Sequence, residues 1–284
     1  MKRFVACGSG LALAALASTA CADGAPVQHL APHPLWEFGL GVGLLGLPDY
    51  RGSDHARGYI LPVPYVVYRG DWLKADRDGA RALLVKSERV DVDLSASAGV
   101  PTHSSDNEAR RGMEDLPATI ELGPNLQVRL ADFGGRRDAR LDVRFPLRAA
   151  FTVERSPRGI GFTFSPNLNL DLSNIAGGWH LGLLTGPFFA TQRYHQHYYG
   201  VGAGEATPQR PAYEARGGYG GWQALAAASR RFGRAWLGAF VRVDDLHGAV
   251  YESSPLVRRS YAVAGGIAVA WVFARSGRIV QSED

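Results

Sequence analysis

Tyr194-His195-Gln196-His197-Tyr198-Tyr199 gathers two imidazoles and three phenols into six consecutive residues. Imidazole nitrogens and phenol oxygens are potential ligands for a metal ion or a small polar molecule. Histidines at i and i+2 put their rings on one side only where the chain is extended, and no thiol or acidic third ligand sits nearby. The expectation for Tyr194, His195, His197, Tyr198 and Tyr199 is therefore an aromatic contact surface on a long loop, without metal or cofactor. Hydrolysis would need a nucleophile paired with a base. His103 beside Ser104, Ser105 and Asp106, and His180 on the same face as Gly182, are the available pieces. Neither stands in a nucleophile elbow or a metal-binding helix motif, so no enzyme is expected.

A third set of chemically able groups is scattered more widely: Asp91, Asp93, Glu121, Arg129, Asp142, Arg144, Arg148 and Asp171. Each stands at a polar position inside an otherwise apolar run. Charges of both signs on neighbouring strands are expected to form ion pairs inside the fold. Arginines set against aspartates would give a pore a transverse field that selects solutes. The same charges would serve equally well to close a small interior.

The elements that must carry these groups have a period of two. Trp36-Glu37-Phe38-Gly39-Leu40-Gly41-Val42-Gly43-Leu44 places every large apolar side chain at an even position. Val90 to Val100, Ile120 to Leu130, Leu141 to Val153, Phe162 to Leu172 and Tyr261 to Phe273 repeat the pattern. Each is a strand with one apolar face and one polar or small face. The runs are about 9 to 13 residues long, whereas an ordinary globular strand has about 5 to 6 and a tilted bilayer-crossing strand about 9 to 11. Alternation alone does not separate a soluble sandwich from a membrane barrel, which turns the same pattern inside out. Run length, an export signal and the cysteine pattern favour the barrel.

About twelve strands are expected, with 10 to 14 open: near 35–45, 58–68, 71–77, 79–86, 89–100, 118–131, 139–153, 160–172, 178–190, 219–232, 235–245 and 260–273. Counted from a periplasmic N-terminus, the long connections 46–57, 101–117, 191–218 and 246–259 all fall on the outer side. The connections on the other side are short, which is the asymmetry of outer-membrane barrels. The third connection, between 71–77 and 79–86, is a short outer one. Pro64 lies within a strand, where its missing N–H marks an edge or a bulge. Aromatic residues near strand ends, including Trp36, Tyr68, Trp236, Tyr261, Trp271 and Phe273, suit interfacial girdles.

Residues 1–22 read as a signal peptide, with Lys2 and Arg3 ahead of an apolar stretch and Ala20-Cys21-Ala22 as the cleavage site. Both cysteines, Cys7 and Cys21, lie inside it, so the mature chain carries no disulfide, thiolate site or cysteine nucleophile. Residues 23–34 then form an N-terminal periplasmic segment, 35–273 the barrel and 274–284 a polar tail. Charged residues are only 20% of the chain, and 31 basic residues less Lys2 and Arg3 leave 29 against 27 acidic. So small an excess, without a basic cluster, argues against nucleic acid. Glycine, 35 of 284 residues, is about 12% against a usual ~7%.

Pro48-Asp49-Tyr50-Arg51-Gly52-Ser53-Asp54, followed by Leu61-Pro62-Val63-Pro64-Tyr65 and Tyr68-Arg69-Gly70, resembles the MipA/OmpV family. Tyr194-His195, Tyr198-Tyr199-Gly200-Val201, Arg210-Pro211-Ala212-Tyr213 and Gly217-Gly218-Tyr219 extend the resemblance, which runs from about Trp36 to Phe273. It implies an outer-membrane protein of a Gram-negative bacterium, an all-β chain folded as a closed antiparallel transmembrane β-barrel among outer-membrane lipid. It further implies a scaffold that joins a lytic murein transglycosylase to a peptidoglycan synthase. Passage of small solutes or antibiotics, linked to other members, is the alternative. The chain departs from the usual barrel ending: Phe273 is followed by Ala274 to Asp284 rather than closing on a terminal aromatic.

Overall fold

In β2 (Trp36–Pro48) the side chains of Phe38, Leu40, Val42 and Leu44 are 41 to 58% exposed, while Glu37, just before them on the opposite face, is 1% exposed. This is the reverse of a water-soluble strand, and it recurs around the molecule. The computed structural model describes residues 31–69, 73–76, 79–87, 89–133 and 139–282. The signal peptide, Cys21 and most of the N-terminal segment lie outside the described residues.

β1 (Ala31–Pro34) and β15 (Ile279–Ser282) pair with each other as a separate two-stranded antiparallel sheet. The remaining strands are β3 (Ala56–Arg69), β4 (Leu73–Asp76), β5 (Gly79–Lys86), β6 (Val90–Gly99), β7 (Thr119–Phe133) and β8 (Ala139–Thr152). After these come β9 (Gly159–Phe164), β10 (Asn167–Ile175), β11 (Trp179–Ala190), β12 (Gly218–Phe232), β13 (Ala235–Asp245) and β14 (Tyr261–Arg275). Each pairs antiparallel with its sequence neighbour, and β14 pairs with β2. β9 and β10 are two halves of one wall strand broken at Ser165-Pro166. The upper half pairs with β8 and β11, and the lower half with the same two strands. The pairings therefore run full circle through twelve wall positions, as the alternation predicts.

Ten of the twelve are long. β4 has four residues, which rise only about 13 Å at ~3.3 Å each, against an apolar band of about 25 Å. β4 pairs with β5 from Leu73↔Ala82 to Asp76↔Gly79, and the connection between them lies outside the described residues.

The interior is polar. Asp93, Glu121, Asn125, Gln127, Asp142, Thr163, Asn167, Asn169 and Asp244 are buried, and their strand neighbours Leu94, Ile120, Leu122, Leu126, Phe162, Leu168 and Val243 are exposed. An apolar belt this continuous exceeds the patches that soluble monomers show. On β2 and β14 the middle of the inner face is glycine and alanine. At Gly41 a Cβ would run into the Val269 carbonyl and Ala270. This small face lets Tyr65 of β3 reach Trp236 of β13 across two strands, with ring centroids 5.8 Å apart. Trp236, expected in an interfacial girdle, thus turns inward, whereas Tyr261, Trp271 and Phe273 face out.

Candidate functional site: the outer cap and the charged interior

The one hydrophobic cluster of buried side chains in the described residues lies outside the strand wall. It consists of Tyr50, Leu116, Tyr199, Val201, Ala215, Leu246, Ala249, Tyr251 and Leu256. These come from the four long connections on one end of the barrel. Tyr199 and Tyr251 stack with centroids 3.7 Å apart and planes 7° from parallel. Tyr50 Oη donates to the Leu256 carbonyl at 2.8 Å, and Tyr251 Oη donates to the Gly220 carbonyl at 2.8 Å. Such a core holds phenol hydroxyls cheaply because each has a fixed acceptor.

Polar side chains lace the connections together. The buried Asp49 carboxylate accepts from Arg57 Nε at 2.9 Å and from Asn107 Nδ2 at 2.8 Å, and His55 Nδ1 lies 3.0 Å away. Arg210 donates to the carbonyls of Glu205, Ala109 and Arg111, and Arg110 donates to that of Tyr198. Ser254 Oγ donates to the Tyr199 carbonyl at 2.8 Å. The motif residues Asp49, Tyr50, Tyr199, Val201, Arg210 and Tyr213 therefore belong to one cap over the barrel mouth.

Residues 192–199 form a short helix, α1 (Gln192–Tyr199). A helix turns i and i+2 to different sides, so His195 and His197 diverge. His195 is fully buried, its Nδ1 donating to the Arg216 carbonyl at 2.7 Å and its ring edge-on to Tyr251. Burial pushes its pKa down, against the pull of that carbonyl. His197 is pushed down to about 4 by burial, with Arg110 and Arg158 adding repulsion. Tyr194 reaches down into the barrel and donates to Glu121 at 2.9 Å, and Tyr198 Oη is 3.2 Å from Thr119 Oγ1. Among the described residues no group of three or more His, Cys, Asp or Glu could hold a metal ion.

The interior charges separate into several groups. Asp142 accepts from Arg140 Nε at 2.9 Å, and Arg144 bridges Asp142 and Asp171 at 3.7 and 3.2 Å. That knot lies on the adjacent strands β8 and β10. Asp93 accepts from Asn125 at 3.1 Å, and Arg148 Nε donates to Ser95 Oγ at 2.8 Å. Glu121 accepts from Thr163 and Tyr194 directly under α1. Arg129 pairs with Asp132 at 3.6 Å, while Asp91 faces inward on β6 beside Gln127. The pairs of Asp142 and Asp171 join neighbouring strands, whereas Arg231 of β12 reaches past β13 and β14 to Glu37 of β2.

Sequence reasoning missed Arg51. Its guanidinium lies 4.0 Å over the Phe188 ring, pairs with Asp244 at 3.5 Å and donates to Gln223 Oε1. The motif around Pro48 pointed to it, but its partners lie on strands far along the chain. The serine and histidine pieces are engaged locally. His103 Nδ1 is 2.9 Å from Asp115, and Ser104 Oγ donates to the Glu114 carbonyl.

At the opposite end Arg231, Arg234 and Arg275 line a hollow of about 210 Å³ with Val272, Phe273 and Ala274. A family model described as MltA-interacting protein MipA matches residues 40–273. A search of curated proteins returns no match.

Proposed function

We propose that this chain, which belongs to the MipA family, is an outer-membrane barrel that works by holding a murein transglycosylase at its periplasmic end. The observation that carries this reading is the capped mouth. Four connections form a packed core over one end of the barrel, so the end left for a partner is the other one. A family description that names a murein enzyme as interactor points to the same end, where such enzymes meet peptidoglycan. The arginine-lined hollow formed by Arg231, Arg234 and Arg275 beside Phe273 supplies a cationic rim around an apolar spot, a usual composition for a recognition surface. A peptidoglycan synthase joining the same complex belongs to this reading, as does export by the N-terminal signal into the outer membrane.

The test is capture of a purified lytic murein transglycosylase by the folded barrel in nanodiscs. Replacing Arg234 and Arg275 by Glu should weaken capture about tenfold or more, as charge reversal at a recognition rim does. Capture that is absent in the wild type, or equal in the variant, would contradict the reading. A narrow channel is the second reading. The interior arginines Arg144 and Arg148 favour it, and the capped mouth speaks against it.

A further inference from the structure

At the end opposite the cap, β12 and β13 are joined by the two-residue turn Gly233-Arg234, with Phe232↔Ala235 as the last pair before it. Gly233 sits at φ +61°, the left-handed region that the first position of such a turn demands and glycine adopts freely. β14 runs on beyond this turn. Its Val272 N–H still donates to the Arg234 carbonyl at 2.8 Å, and its register with β2 then slips between Val272 and Ala274. Phe273 is the extra residue of that bulge and is 64% exposed. A bulge re-aims the side chains around it, here Phe273, Ala274 and Arg275. The hollow of about 210 Å³ lies between the turn and the bulge.

Its lining has two chemistries. Val272, Phe273 and Ala274 are apolar, whereas Arg231, Arg234 and Arg275 are cationic. Arg231 is fixed in place, its Nε donating to the Gly233 carbonyl at 2.8 Å and its Nη1 pairing with Glu37. Glu37 is 1% exposed and answers one of the three positive charges. Among the described residues the guanidiniums of Arg234 and Arg275 have no carboxylate, carbonyl or aromatic partner. Three like charges gathered at a recess, with one of them matched, attract an anion. These cations are reached from water rather than from lipid. Arg275 pairs in register with Glu37 and shares its inner face, and Arg231 pairs in register with the inward Trp236. A ligand therefore arrives from the barrel mouth.

Size narrows the choice. Sites that enclose a whole small molecule measure about 300–1,000 Å³, so this hollow takes only the end of something larger. Guanidinium forks match carboxylates with two parallel hydrogen bonds, and capture of a terminal carboxylate is a recurring mode of peptide recognition. The apolar wall beside the arginines suits a small side chain next to that carboxylate.

We propose that the hollow binds the terminal carboxylate of a murein stem peptide, so that the barrel grips the cell-wall polymer itself. Arg234 and Arg275 take the carboxylate, Arg231 adds its field, and the last small side chain packs against Val272 and Ala274. The inference rests on the reading above for one point, that this end faces the periplasm. It adds to that reading a second ligand, the polymer on which the held enzyme acts.

The test is co-sedimentation of the refolded, signal-free, heat-modifiable protein in non-ionic micelles with purified peptidoglycan sacculi, without any transglycosylase. Retention on the sacculi is expected. Diacetyl-lysyl-D-alanyl-D-alanine should compete for the protein, and the same tripeptide as its C-terminal amide should not. Combining Arg234→Gln with Arg275→Gln should weaken retention about tenfold or more, as loss of charged hydrogen bonds requires. If that variant does not fold, the contrast between acid and amide on the wild type decides alone. No retention, equal competition by the amide, or undiminished retention of the folded variant would overturn the proposal. So would displacement of the sacculi by phosphatidylglycerol but not by phosphatidylcholine in the micelles, which would assign the hollow to a lipid phosphate. Capture of the enzyme is measured apart: a barrel that holds murein but not the enzyme contradicts the scaffold reading and supports this one.

Discussion

Glu121 is where the cap and the wall meet, because its two carboxylate oxygens accept from Tyr194 of α1 and from Thr163 of β9. Elsewhere in the cap, His197 gives a handle on pH. Its pKa is pushed from 6.5 down to about 4, first by burial and then by Arg110 and Arg158. The folded chain thus binds this proton less readily than the unfolded chain does. Its contribution to stability is complete above about 6.5 and is lost as the pH falls from there towards about 4. Buried His195 shifts in the same direction. His197→Gln should therefore lose less stability than the wild type between about pH 7 and pH 4, measured by thermal scans of the refolded protein. An equally steep loss in the variant would contradict the assignment.

Among the elements, the cap depends on one stacked pair. Tyr251 is fully buried and packs face to face on Tyr199 of α1. Tyr251→Ala should cost roughly 3–5 kcal/mol, the usual range for removing a buried aromatic side chain. The loss should appear as faster proteolysis within residues 191–217 and 246–260, with the strand content unchanged by far-ultraviolet circular dichroism. Strand melting together with the cap would show the two to be one unit. The strands were legible because their partners are decided by period-two alternation, as in Trp36 to Leu44 and Tyr261 to Phe273. The helix α1 was not, since eight residues rich in aromatics have little intrinsic helicity and fold here by packing His195 and Tyr199 onto Tyr251.

For the whole molecule, the inside-out distribution of apolar and polar side chains followed from composition and alternation, and so did the gathering of the long connections at one end. What stayed illegible is what depends on register between distant strands. Arg148 reaches Ser95 across Gly123 of the strand between them, and Arg51 meets Asp244 only once β13 is in place. The motifs at Pro48–Asp54 and Tyr194–Gly200 marked important residues without saying that they pack together, with Tyr199 donating to the Arg51 carbonyl. A barrel sealed by its own connections should insert into a planar bilayer and stay silent. The direct check is single-channel recording of the refolded, signal-free, heat-modifiable protein. No discrete conductance steps are expected from the wild type, and steps should emerge when Tyr251→Ala loosens the cap. Stable, ion-selective steps from the intact wild-type protein would contradict the sealed mouth and make the channel reading primary.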